Sequence, residues 1–125
     1  MLKIIAMVFG VIFFLIGVLG FFPALTPNGE LLGIFHVNAA HNMVHLATGI
    51  ISFWVGITSG HAAKIFFQIF GVIYGLVAIL GFFYGDQPIF GLIANNMADA
   101  WLHVAVSAIA LYLGFGMKQK SHHPH

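Results

Sequence analysis

The chain alternates between long apolar runs and short polar interruptions. Four runs reach the roughly 20 mainly apolar residues that a membrane-crossing helix needs. They cover about 3–23, 39–59, 64–84 and 97–117. Pro23, Pro27 and Asn28-Gly29 close the first run. Ser59-Gly60-His61 make a tight connection between the second and third. Gly85-Asp86-Gln87-Pro88 end the third, and Lys118 ends the fourth. The pattern predicts an all-α bundle of four transmembrane helices. The first run is longer than the roughly 7–15 residues of a signal-peptide core, so it is expected to stay as a structural helix.

The pattern is also written twice. Residues 3–22 align without gaps on residues 64–83, and 11 of the 20 positions are identical. Phe9/Phe70, Gly10/Gly71 and the closing Gly20-Phe21-Phe22/Gly81-Phe82-Phe83 are among them. A second block follows in each half: Gly33-x4-Asn38-x2-His41-x3-His45 returns as Gly91-x4-Asn96-x2-Asp99-x3-His103. A fixed internal period governs the whole fold reading. It predicts one membrane domain over 1–125, with repeat one at about 3–59, repeat two at about 64–117, and a histidine-rich cytoplasmic tail at 118–125. Each repeat is a helical hairpin. Two spans per repeat make the hairpins run in the same sense, related by a pseudo-twofold axis along the membrane normal.

Charge sets the expected orientation. Lys3, Lys64, Lys118 and Lys120 fall at the N-terminus, the 59–64 turn and the C-terminus, whereas Glu30 and Asp86 fall in the two longer connections. Lysine-rich ends stay cytoplasmic, so both termini are expected on the cytoplasmic side of the membrane. Composition agrees. The chain is 61% hydrophobic and 6% charged, against about 25% charged for a soluble domain. No polar stretch is long enough to fold alone, and no basic stretch suits nucleic acid. There is no cysteine, which excludes disulfides and thiolate ligands.

The polar residues inside the runs carry the candidate chemistry. His41 and His45 are four apart, hence on one helix face about one turn from each other, and so are Asp99 and His103. If the second and fourth helices face each other, the four side chains converge in the outer leaflet. Three imidazoles and a carboxylate suit a divalent transition metal such as Zn, Fe, Cu or Mn. His45 and His103 alone could instead ligate a haem b iron from both sides. The plain alternative is a structural clasp. Asn38 and Asn96 are placed to cap their helices, which puts Asp99 at the third helical position, where a carboxylate is favoured by free N–H groups. His36, whose repeat mate is Ala94, is a candidate mouth residue, and His61 is expected to cap the second helix. No nucleophile–base pair, phosphate loop or dinucleotide motif is present, which points away from a stand-alone enzyme.

Residues 32–49, with Asn38-x2-His41-Asn42-x2-His45-x3-Gly49, together with Asn96-Met97-Ala98-Asp99-Ala100-Trp101-Leu102-His103, resemble the paired signatures of a bacterial family of small four-helix membrane proteins of unknown function. The resemblance spans nearly the whole chain. It implies the fold and the membrane location, highlights Asn38, His41, Asn42, His45, Asn96, Asp99 and His103, and implies no activity. Three readings therefore stand side by side: a metal-binding membrane protein, a haem electron-transfer module, and an accessory subunit of a larger membrane complex or homo-oligomer. All three share the lipid bilayer as partner.

Overall fold

A computed structural model describes residues 1–117. Lys118, Lys120 and the histidine-rich tail lie outside the described residues. Four helices dominate: α1 (Leu2–Leu19), α2 (Ala39–Thr58), α3 (Gly60–Tyr84) and α4 (Met97–Leu111), the last continued by one π-helical turn, Tyr112–Gly116. The helix count is as expected, and three of the four are long and apolar enough to cross a membrane: α1, α3 and α4 with its π turn. The exception is α2. Its first two turns carry His41, Asn42 and His45, which lower its hydropathy.

Local chemistry explains the boundaries. Asn38 caps α2 by accepting the His41 backbone N–H at 2.9 Å. Asn96 does the same for Asp99 at 2.9 Å, and the Asp99 carboxylate accepts the Asn96 N–H at 3.1 Å, completing a capping box. This arrangement satisfies two end-of-helix donors reciprocally. The connection between α2 and α3 is tighter than the expected turn. Ser59 alone ends α2 and caps α3, accepting the Ala62 N–H at 2.9 Å. His61 accordingly falls in the first turn of α3, exposed, rather than over the end of α2.

Each long connection folds into a small hairpin. In the first half β1 (Glu30–Leu31) pairs antiparallel with β2 (Phe35–His36). In the second half Ile89 bridges Ile93 at the equivalent place. The sequence pattern had marked both segments only as loops.

Within each half the two helices pack intimately. Small residues set the distance, as expected where lipid supplies no hydrophobic drive between helices. A Cβ at Gly10 would lie 2.6 Å from the Gly49 carbonyl oxygen, so α1 and α2 meet backbone to backbone there. Gly56 sits against Lys3 and Met7, and its repeat mate Gly114 against Gln68, the mate of Met7. The halves meet through aromatic rings. Phe9 and its mate Phe70 are in edge contact at 5.3 Å between centroids. Phe67 and Ala63 are fully buried beside them.

Candidate functional site

The polar centre sits at the loop end of the bundle, where α2 and α4 begin. Asn38, Asn96, His41, Asp99, His45 and His103 all lie in the first two turns. His41, His45, Asp99 and His103 are buried, each with 6% or less of its surface exposed. The His41 ring stacks on His45 at 4.7 Å and lies 5.9 Å from His103. His41, His45 and Asp99 line one cavity of about 150 Å³, roofed by Leu31, Leu32 and Phe35 of the first hairpin. His103 joins the cluster through His41 without lining that cavity. The expected convergence of the four residues is therefore observed in part.

The four side chains divide into two pairs by what they bond. His41 and Asp99, the mates at the third helical position, are engaged with backbone. His41 Nδ1 lies 3.1 Å from the His36 carbonyl, to which it donates, and the Ala94 carbonyl approaches the same ring. Asp99 accepts from Asn96, and the His36 backbone N–H is directed at its carboxylate. The His36 backbone thus joins the first hairpin to α4, while its side chain is half-buried beside Gly29. A histidine donates and a carboxylate accepts, so each residue type matches the backbone group it meets.

His45 and His103 are different. The Nδ1 atom of each is buried without a hydrogen-bond partner among the described residues. Each instead packs against an aromatic ring from the first helix of its own half: Phe13 on His45 at 5.4 Å, and Tyr74 on His103 at 5.1 Å. Phe13 and Tyr74 are themselves repeat mates. Buried polar atoms nearly always have partners, so two orphaned nitrogens at matched positions need a cause.

Among the described residues no three His, Cys, Asp or Glu side chains are arranged to hold one metal ion. The bonding above is the reason. Asp99 is held in its capping box, and the His41 and His45 rings are stacked rather than turned toward a common point. The cavity that His41, His45 and Asp99 line has a volume of about 150 Å³.

Sequence reasoning missed several polar contacts. Asn38 Nδ2 donates to the Leu92 carbonyl at 3.0 Å, and Asn96 Nδ2 to the Ile34 carbonyl at 2.9 Å. Leu92 and Ile34 are mates, so each capping asparagine also ties its half to the hairpin of the other. Asn95 is buried and donates to the Gly81 and Gly85 carbonyls at 3.0 and 2.7 Å. Ser52 and Ser107 donate to the Ala6 and Gly71 carbonyls, both at 2.7 Å. The matched spacing of Asn38/Asn96 with Ile34/Leu92 was the available signal for the crossed bonds.

Fold and site together define a duplicated helical-hairpin protein with membrane-compatible helices and a buried histidine cluster at one end. The chain belongs to the DUF4383 family, a domain of unknown function, which it matches over residues 3–116. No curated protein and no solved structure matches it.

Proposed function

We propose that this chain is a small integral membrane protein, crossing the bilayer four times with both termini cytoplasmic, that binds a transition-metal ion between its halves. α2 serves as the fourth span despite its polar start, because its polar residues face the bundle and its lower turns are apolar. The ligands assigned are His45 and His103, with His41 as the third imidazole. Asp99 orients the site from its helix cap. The observation that carries the reading is the pair of buried, unpartnered Nδ1 atoms on His45 and His103. Neutral imidazole is a common ligand for Zn, Cu and Fe, and an apolar shell strengthens its hold. The His36 carbonyl on His41 is the kind of outer contact that fixes a ligand ring. Binding requires the His41–His45 stack to open by ring rotation beside the cavity that both rings line.

The test is elemental analysis and thermal unfolding of detergent-purified protein lacking residues 121–125, so that tail histidines collect no metal. One equivalent of metal is expected, lost in His45→Leu and in His103→Leu. At a metal concentration a hundredfold above Kd, the bound ion stabilises the fold by about 2.7 kcal/mol. An ultraviolet–visible spectrum of the same sample checks for haem.

A second reading has its own observation. His41 and Asp99 are held by backbone groups, His41 by His36 and Ala94 and Asp99 by Asn96 and His36. That pattern supports a polar clasp inside an accessory subunit of a larger complex. On this reading His45→Leu binds no less metal than the parent and is equally or more stable, because it removes an orphaned polar atom.

A further inference from the structure

The two hairpin tips are built alike and against local preference. Leu32 and Gly33 have φ of 56° and 74°, and Phe90 and Gly91 have φ of 53° and 73°. Glycine takes this left-handed conformation freely, but a leucine or phenylalanine does so at a cost of about 1–3 kcal/mol. Asn or Asp would suit the first position of such a turn better. Both halves nevertheless place a large apolar side chain there and expose it: Leu32 at 65% and Phe90 at 67%. Ile34 and Leu92, two residues further on, are 52% and 68% exposed.

The tips do not stand off in solvent. The Ile34 carbonyl is bonded by Asn96, the cap of α4, and the Leu92 carbonyl by Asn38, the cap of α2. The tips therefore lie at the height of the helix starts, folded over the end of the bundle. Exposed apolar side chains continue from that level along the helices: Phe83 near the end of α3 and Met97 at the start of α4. Glu30 and Asp86 are the only charged residues in the two connections, and neither connection has a Lys or Arg.

Resting on the membrane reading above, we propose that the two hairpin tips are lipid anchors. Leu32, Ile34, Phe90 and Leu92 enter the headgroup–acyl boundary of a zwitterionic leaflet at the loop end of the bundle. A bilayer surrounds the bundle and meets both halves with one chemistry, which matches two copies of one apolar motif. The acidic pair Glu30 and Asp86 disfavours an anionic surface. Side chains of this kind settle roughly 5–10 Å into the boundary. The anchors fix the height of the bundle, and the first hairpin roofs the histidine cavity through Leu32 and Phe35.

Single-tryptophan reporters test this. The full chain with Trp54→Phe and Trp101→Phe receives Phe90→Trp, Leu92→Trp or Val72→Trp and is placed in phosphatidylcholine vesicles. Lipids brominated near the headgroup or near the chain end serve as quenchers, with aqueous iodide as a third. The Phe90→Trp and Leu92→Trp reporters should be quenched about twofold more by headgroup-proximal bromine than by distal bromine, and be shielded from iodide. Leu92 does not share the left-handed backbone of Phe90, so Leu92→Trp keeps the test open if Phe90→Trp fails to fold. Val72→Trp, exposed midway along α3, reports insertion itself. If Val72→Trp escapes all bromine, the membrane reading falls. If it is quenched while the tip reporters are open to iodide and unaffected by bromine, the anchors are overturned. Tip reporters shielded from both quenchers also overturn them, in favour of a protein covering the tips.

Discussion

The two halves of the chain share a polar end and differ in how their helices touch. In the first half α1 and α2 approach backbone to backbone, with Gly10 against Gly49 and Gly56 against Lys3 and Met7. Ser52 adds a side-chain bond to the Ala6 carbonyl there. The second half keeps such a close approach at Gly114, against the Gln68 backbone, and has more side-chain bonds across the interface. Ser107, the mate of Gly49, donates to the Gly71 carbonyl. Gln68, the mate of Met7, donates to the Gly114 carbonyl at 2.9 Å, and Asn95 reaches across to Gly81 and Gly85. Lys64 adds a bond to the Met117 carbonyl at 3.2 Å, at the end of the π turn. The two halves thus combine the same two kinds of contact in different proportions. Contact in lipid can come from close van der Waals approach or from hydrogen bonds between helices. The capping and crossed bonds, by contrast, are nearly identical in the two halves. Drift is tolerated along the helix faces, and the loop end is held to one geometry.

The sharpest way to break this comparison is to exchange the mates. Gly49→Ser puts the second half's residue into the first. A Cβ there would lie 2.6 Å from the Phe14 nitrogen and 2.7 Å from the Gly10 carbonyl oxygen. Neither backbone atom can move without shifting a helix, so a loss of about 3 kcal/mol is expected in detergent unfolding. Ser107→Ala removes one hydrogen bond and should cost only about 1 kcal/mol. Equal effects would mean that the two interfaces do not differ in their balance of contacts.

Next come the crossed asparagines. Asn38→Ala and Asn96→Ala each remove a helix cap and a bond to the opposite hairpin. Each should cost about 2 kcal/mol, and the two costs should agree within roughly 0.5 kcal/mol, because their geometry is matched. A clear inequality in the unfolding midpoints would show that the loop end is not symmetric in energy.

The smallest expected effect separates Asn95 from Asn42. Asn95→Ala frees two carbonyls and should cost about 1–2 kcal/mol. Asn42 is buried against Gly20, and its Oδ1 has no partner. Asn42→Ala, which installs the residue of its mate Ala100, should cost under about 1 kcal/mol. A larger loss for Asn42→Ala than for Asn95→Ala would locate the tighter polar contact in the first half instead.

Much of the architecture was legible before any coordinates. Apolar run lengths gave four helices, and the duplicated blocks paired Asn38 with Asn96 and His45 with His103. The capping roles of both asparagines followed from their position before an apolar run, as did the place of Asp99 in the first turn. The hairpins were not legible, because Leu32 and Phe90 are poor turn residues by local preference and only their surroundings hold them at positive φ. The bonds of His36 to His41 and Asp99 were not legible, because they are made by its backbone, which side-chain identity does not report. The single-residue connection at Ser59 was read as a longer turn, since Gly60 signals a break yet lies inside α3.

The division between chain and fold follows from the range of the forces involved. Periodicity, caps and repeat spacing act within a few residues, so helix count, helix starts and the equivalence of the halves are written in the order of residues. Which faces meet is a different matter. Apolar side chains surround every helix, and in such a chain hydrophobicity does not choose a face. That choice fell to close approach at Gly10 and Gly49, to the aromatic contacts of Phe9 with Phe70, and to crossed bonds between residues more than 50 positions apart. The same long-range packing left His45 and His103 with unpartnered nitrogens while binding His41 and Asp99 to backbone. Four residues at matched positions in the sequence thereby became two bonded to backbone and two whose Nδ1 atoms have no partner among the described residues.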